Sequence, residues 1–189
     1  NKKPLQLFVS SKINPDFLFG NVNLKASISL PLKPFNEIKP EEIKVDIVNG
    51  TLYDFLAKKL VSQKIISAKI LNFQVSKKKF KLFGKAMLDE LPLKFEWSGT
   101  SEFLKNGKSS VSGEFNLSQS SLNALEINVP NEIIDGVADA KFMLTLTKGL
   151  PPKVVVTSDL KGLEIKIDTL KWRKDKQKKG KLVLNITVE

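Results

Sequence analysis

Glu41-Glu42 and Asp89-Glu90 are adjacent carboxylates of the kind from which general acid–base chemistry is built, and each lies beside a proline or in an expected turn. Solvated acids are the ordinary outcome at such places, because that chemistry needs a held geometry. The chain of 189 residues has no cysteine and no histidine. Thiolate and imidazole metal sites, disulfide frameworks, Ser–His or Cys–His nucleophile pairs and histidine proton transfer are excluded together. No GxxxxGK[ST] phosphate loop, GxGxxG fingerprint, GxSxG elbow, EF-hand loop or zinc spacing is present. The residues point to no catalytic group, no metal site and no cofactor, so the expectation is a protein that is not an enzyme.

The chemically active groups that remain are cations. Lysine and arginine number 31 against 20 acids, giving a net charge of +11 and a pI near 9.7. Arg173 is the only arginine, so the planar fork that reads guanine edges and grips phosphate on two points is nearly absent, and no nucleic-acid partner is expected. Two runs concentrate the charge. One is Lys77-Lys78-Lys79; the other holds Lys171, Arg173, Lys174, Lys176, Lys178, Lys179 and Lys181 around the single acid Asp175. Such runs either keep sheet edges in water or attract anionic lipid headgroups, and the second is the candidate headgroup-attracting cluster.

These groups need a scaffold. Hydrophobic residues at 41% and charged residues at 27% describe a globular chain and exclude collagen-like, coiled-coil and disordered classes. The length suits a single β-rich domain over residues 1–189. No stretch approaches the ~20 apolar residues of a spanning helix. The sequence opens at Asn1 rather than Met, which is expected of a soluble piece cut from a longer protein or of a processed form, with any anchor of the parent lying outside it.

The dominant pattern has period two, the signature of half-buried strands. Phe80, Leu82, Ala86 and Leu88 oppose Lys79, Lys81 and Lys85; Leu93, Phe95 and Trp97 oppose Lys94, Glu96 and Ser98. The connection Asp89-Glu90-Leu91-Pro92 is short enough to make the two an antiparallel pair. The pattern returns at Val111–Leu117, Ala138–Leu146, Leu163–Ile167 and Leu182–Val188. Breaks fall at Lys105-Asn106-Gly107, at Lys148–Pro152 and along the charged run. Upstream, Phe17–Pro31 reads as a long strand with a bend at Gly20, and Ile43, Val45 and Ile47 as a short strand closed by an Asn49-Gly50 turn. Tyr53, Leu56 and Leu60 are spaced for a helix over Tyr53–Ser62, and a second short helix is expected over Ser120–Leu125 behind a serine cap. The expected fold is mainly β: a long antiparallel meander in one continuous layer, forming a curved sheet or open hydrophobic groove with one or two short helices.

Twelve phenylalanines and two tryptophans dominate the apolar side chains. They form either a closed core or, if covering material is scarce, an open trough for acyl chains. The trough candidates are Phe80, Leu82, Leu88, Leu93, Phe95, Trp97, Phe115, Leu117, Phe142, Leu144, Leu146, Ile165, Ile167, Leu182, Leu184 and Ile186.

From Phe80 onward the order of features is Gly84-Lys-Ala-Met-Leu88, Leu91-Pro92-Leu93, Phe95-Glu-Trp97, Val111-Ser-Gly-Glu-Phe115, Val129-Pro130, Ile134-Asp-Gly136-Val-Ala138, Leu160-Lys-Gly-Leu163, Leu170-Lys-Trp172-Arg-Lys174 and Gly180-Lys-Leu182. This order resembles the AsmA-like superfamily, in its YhdP-type branch related to TamB. The resemblance implies a periplasmic protein of the Gram-negative envelope, anchored in the inner membrane through its parent chain. It implies a long β groove that carries phospholipid or another acyl-chain lipid in outer-membrane biogenesis, with end-to-end β pairing to adjacent repeats as a further expectation. The competing expectation is a non-catalytic assembly module that pairs with neighbouring repeats or partner proteins and binds no lipid.

Overall fold

Alternating residues become strands wherever one face can be buried. The computed structural model describes residues 18–39, 42, 44–61, 64–76, 79–100, 108–147 and 149–187. Its elements are β1 (Leu18–Ser29), β2 (Lys44–Val61), β3 (Lys64–Ser76), β4 (Lys79–Leu88), β5 (Leu91–Thr100), β6 (Lys108–Leu117), α1 (Gln119–Ala124), β7 (Ile134–Gly136), β8 (Ala138–Thr147), β9 (Lys153–Ser158), β10 (Leu163–Ile167), β11 (Trp172–Lys174) and β12 (Leu182–Thr187). Nine strands form one antiparallel sheet in the order β1-β2-β3-β4-β5-β6-β8-β9-β12, which does not close on itself. The meander leaves this sheet twice on the same side, after β6 and after β9. These excursions build α1 and a separate three-stranded sheet, β11-β10-β7, so the β structure is two sheets and not the one continuous layer expected.

Register keeps one face apolar across the whole width. Strand pairing sets Val22, Leu52, Leu71, Gly84, Phe95, Gly113, Phe142, Val156 and Leu184 side by side, and beside them Leu24, Gly50, Phe73, Leu82, Trp97, Val111, Leu144, Val154 and Ile186. The rows on the opposite face are largely polar, as in Asn23, Thr51, Asn72, Phe83, Glu96 and Ser112. There Lys81 meets Glu96 at 2.9 Å and Lys94 meets Glu114 at 3.3 Å.

The predicted helix at Tyr53–Ser62 is instead the second half of β2, to the limit of the described residues, and Asn49-Gly50 lies inside the same strand. A β-bulge explains the first misreading, and the Phe73 ring lying over Gly50 explains the glycine at the second. Between Phe19 and Asn21 on β1, β2 carries one extra residue, and β3 carries one extra against β4 between Ser67 and Leu71. Asp54, at φ 51°, marks the place on β2. The inward residues therefore run Val48, Gly50, Leu52 and then Phe55 and Ala57, and the step of three imitates helical spacing. The same defect hid β3, while the unbroken Val154-Val155-Val156 hid β9. Asp89-Glu90 alone makes the turn between β4 and β5; Leu91 and Pro92 already belong to β5. The proline sits one residue before pairing with β6 begins, where no ladder donor is needed.

Helix α1 matches its expected place within a residue. Ser118 caps it: its hydroxyl accepts from the Ser121 N–H, and the Ser121 hydroxyl accepts from the Ser118 N–H at 2.7 Å. Leu122 on α1 is buried in a cluster with Leu91, Phe115, Leu117, Ala138, Ala140, Val156 and Leu163. A second, smaller cluster holds Ala68, Leu71 and Ala86. At the join between the two sheets, Gly136 and Gly162 (φ +99° and +98°) let backbone approach backbone where a Cβ on either would strike a carbonyl of the other strand.

Three glycines on the inner face are covered by rings from the next strand. Phe73 occupies the space that a Cβ at Gly50 would need, Phe80 that of Gly99 and Phe142 that of Gly113. The rings therefore lie down on the sheet instead of standing off it. Gly113→Ala would drive its methyl into both the Phe142 ring and the Lys94 carbonyl, and is expected to cost about 1–3 kcal/mol by overpacking. Urea unfolding of the variant against the parent chain measures this; unchanged stability would show that Phe142 stands free of Gly113.

Candidate functional site

Among the described residues the inner face gathers most of the apolar candidates. From β1 to β12 it crosses nine strands, a span of about 38 Å at ~4.8 Å per strand. Phe80 and Trp97 pack edge to face with centroids 5.2 Å apart, and the Trp97 indole N–H donates to the Ser109 hydroxyl at 3.0 Å. This bond satisfies the one polar atom of the ring and holds its apolar body among Leu82, Val111 and Leu144. Phe115 and Phe142 tilt against each other at 6.4 Å.

Cover reaches only part of this surface. Residues 118–137 and 159–181, the two excursions, lie over the ends of β4 to β12 near Leu88, Leu117 and Ala138. Away from them Leu82, Phe95, Trp97, Val111, Leu144 and Leu146 are half-buried. Leu24 and Val75 are 56% and 42% exposed, and Ile186 is 40% exposed at the opposite edge. Among the described residues only Leu71 and Leu163 are large side chains with no exposure, a small core for a sheet this wide.

The trough candidates therefore divide. Phe80, Leu82, Leu93, Phe95, Trp97, Phe142, Leu144, Leu146, Leu184 and Ile186 share the inner face. Phe115 and Leu117 lie on it too, but they are buried beneath α1, and Leu88, Leu93, Phe142, Leu182 and Leu184 pack against the same covered cluster. Phe115 and Leu117 are core and not trough, because the first excursion folds back over them, and the other five border that core. Ile165 and Ile167 belong to β10 in the three-stranded sheet and contribute nothing to the large face. Sequence reasoning missed Leu52, Phe73, Val75, Val154 and Val156, which continue the face through β2, β3 and β9. The clue was present in the apolar content of 65–75, but the bulge interrupts its alternation.

Hydrogen bonds fasten the cover. Lys64, at the start of β3, donates to the Ala124 carbonyl at 3.0 Å and to Glu126, and stands 3.4 Å from Asp89. The Glu126 carboxylate holds the Lys64 ammonium above its ordinary pKa. Gln119 ties α1 to the Val129 carbonyl at 2.7 Å. Asp89 is thus a structural acid, receiving the Ile65 N–H at 2.9 Å as well. Glu42 is held by Lys33 and by the Lys39 N–H, Glu90 is exposed in its turn, and Glu41 lies outside the described residues. Among the described residues no group of three acids is arranged to hold a metal.

The basic cluster is mostly engaged. Lys174 is 6% exposed and its ammonium donates to the carbonyls of Leu160, Leu163 and Asp175 at 2.6, 2.8 and 3.2 Å. It cannot meet a headgroup, because its three donors stitch the β10–β11 sheet to the turn before it. Arg173 bridges Glu164 and Asp175, Lys176 meets Asp135 at 2.7 Å, Lys178 meets Asp175 and Lys179 meets Asp159. Only Lys171 and Lys181 of the seven lack such a partner among the described residues.

On the outer face, a shallow cavity of about 530 Å³ is lined by Asn23, Asn49, Thr51, Asn72 and Gln74 together with Phe83. The sheet's full thickness separates it from the apolar surface. Comparison with known protein families, with curated proteins and with solved structures finds no match to this chain.

Salt bridges around the small sheet make a pH dependence. Lys176 holds Asp135 below the usual carboxylate range; the Lys161 N–H and then Lys179 do so for Asp159; Lys166 and then Arg173 do so for Glu164. A lowered carboxylate stabilises the fold at pH values above the ordinary carboxylate range, and that contribution is lost as pH falls through the lowered value. Amide exchange in β10 and β11 is expected to accelerate on acidification more than exchange in β5 and β6. Equal acceleration in all four would show that these pairs do not hold the small sheet.

Proposed function

We propose that this chain is a lipid-binding or lipid-conducting segment of a larger envelope protein, with the open inner face as its acyl-chain surface. The observation that carries the reading is a nine-strand apolar face left partly uncovered between two exposed edges. An acyl chain leaving a bilayer loses ~0.8 kcal/mol for each methylene exposed to water, so a carrier needs a continuous apolar floor and no reaction centre. The resemblance to the AsmA-like superfamily points the same way, towards phospholipid movement in the periplasm between inner and outer membranes by a parent chain anchored in the inner one.

A second reading has its own support. Among the described residues β1 and β12 are edges with no further strand beside them, and every residue of β1 after Leu18 is exposed. Such edges favour a structural module that extends by strand addition to neighbouring repeats or partners.

Trp97 supplies the test. With Trp172→Phe it becomes the only tryptophan, and a brominated fatty acid seated on the floor is expected to quench it. Leu144→Asp, one strand away from Val111 in the same row, is expected to abolish quenching by placing a charge on the floor. A chain that purifies without lipid and shows no quenching favours the assembly module; quenching that survives Leu144→Asp places the acyl chain elsewhere.

A further inference from the structure

The ends of the main sheet differ. One carries the two excursions; the other is a rim made by the last residues of β1, β3, β5, β8 and β12 and the first residues of β2, β4, β6 and β9. Those four first residues are Lys44, Lys79, Lys108 and Lys153. Lys79, Lys108 and Lys153 are exposed, and none has a carboxylate partner among the described residues, in contrast to the engaged cluster at the other end.

The connections on this rim also carry its most exposed apolar side chains. Leu32 is 107% exposed, Phe35 80% and Leu150 60%, with Leu30 at 45%. The loop that presents the first two is built. Glu42 takes the Lys33 ammonium at 2.7 Å on one oxygen and the Lys39 N–H at 2.8 Å on the other, and Pro31 and Pro34 accept backbone bonds from Lys33 and Glu37. Leu32 and Phe35 thus project from a segment tied down by these bonds, in which the Glu42 carboxylate is already used. Leu150, followed by Pro151 and Pro152, projects from the β8–β9 connection, six strand spacings or ~29 Å along the same rim. Apolar tips at separated points with unpaired lysines between them match the layered chemistry of a bilayer surface, with phosphates outside and hydrocarbon beneath.

We propose that this rim is a docking surface for an anionic bilayer, with Leu32, Phe35 and Leu150 entering the headgroup region and Lys79, Lys108 and Lys153 lying against lipid phosphates. Charge complementarity selects the partner. The surface moves the point of membrane contact from the Lys171–Lys181 segment to the opposite end of the sheet. It is independent of acyl-chain binding, which the Trp97 measurement reads without any vesicle.

Co-sedimentation of the whole chain with vesicles tests it. Binding is expected to vesicles of equimolar phosphatidylcholine and phosphatidylglycerol, weakly or not at all to phosphatidylcholine alone, and to fall as salt is added. Replacing Lys79, Lys108 and Lys153 with Gln is expected to weaken binding about fivefold per lysine, roughly a hundredfold together. Leu32→Ser, Phe35→Ser and Leu150→Ser combined is expected to weaken it further while circular dichroism stays unchanged, since none of these side chains enters a core. Lys171→Gln with Lys181→Gln is expected to bind as the parent does. Failure of the parent chain to bind anionic vesicles, undiminished binding by the rim variants, or loss of binding only in the Lys171/Lys181 variant would each overturn the proposal.

Discussion

Strand register is the constraint on which the rest depends. Side chains alternate along a strand, so a slip of one residue in any pairing would send a row of leucines and phenylalanines to the wet face and a row of lysines and serines to the dry one. The chain meets this constraint even where it departs from regularity. β2 and β3 each carry an extra residue relative to β1 and β4, and because the two insertions lie side by side, the strands change phase together. A bulge in one of them alone would have split the apolar face in two.

An apolar face this wide needs either a second layer or a way to cohere without one. The two excursions provide a layer over one end only, where Leu122, Leu163 and their neighbours close a core. Across the floor the rings of Phe73, Phe80 and Phe142 recline over glycines of the adjacent strands and are half-buried there. Gly50, Gly99 and Gly113 are therefore packing residues and not turn residues. This arrangement lets the floor cohere where no second layer covers it.

Charge is sorted by end in a way that counting residues does not show. The densest basic segment of the chain is largely consumed in holding the small sheet together, with Lys174 inside it. Lysines spread thinly through the sequence, one at the start of each strand running from the free rim, collect on that rim with fewer partners. Linear density and effective surface charge thus point to opposite ends of the molecule.

Period-two alternation made β4, β5, β6, β8 and β12 legible directly, together with the antiparallel order that short connections enforce, because both are local properties of neighbouring residues. The serine-capped helix was legible for the same reason. The start of β2 was legible at Val45 and Ile47, but its second half and β3 were not, since a bulge gives alternating residues a step of three, and that step is indistinguishable from a helix until a paired strand reveals the phase. The site followed the same division: that Phe95, Trp97 and Leu144 face the same way is written in their spacing. That Phe115 and Leu117 are covered, that Ile165 and Ile167 sit on another sheet, and that Lys174 is buried depended on where the two excursions fold back. Such contacts join residues far apart in the chain, and only tertiary structure decides them.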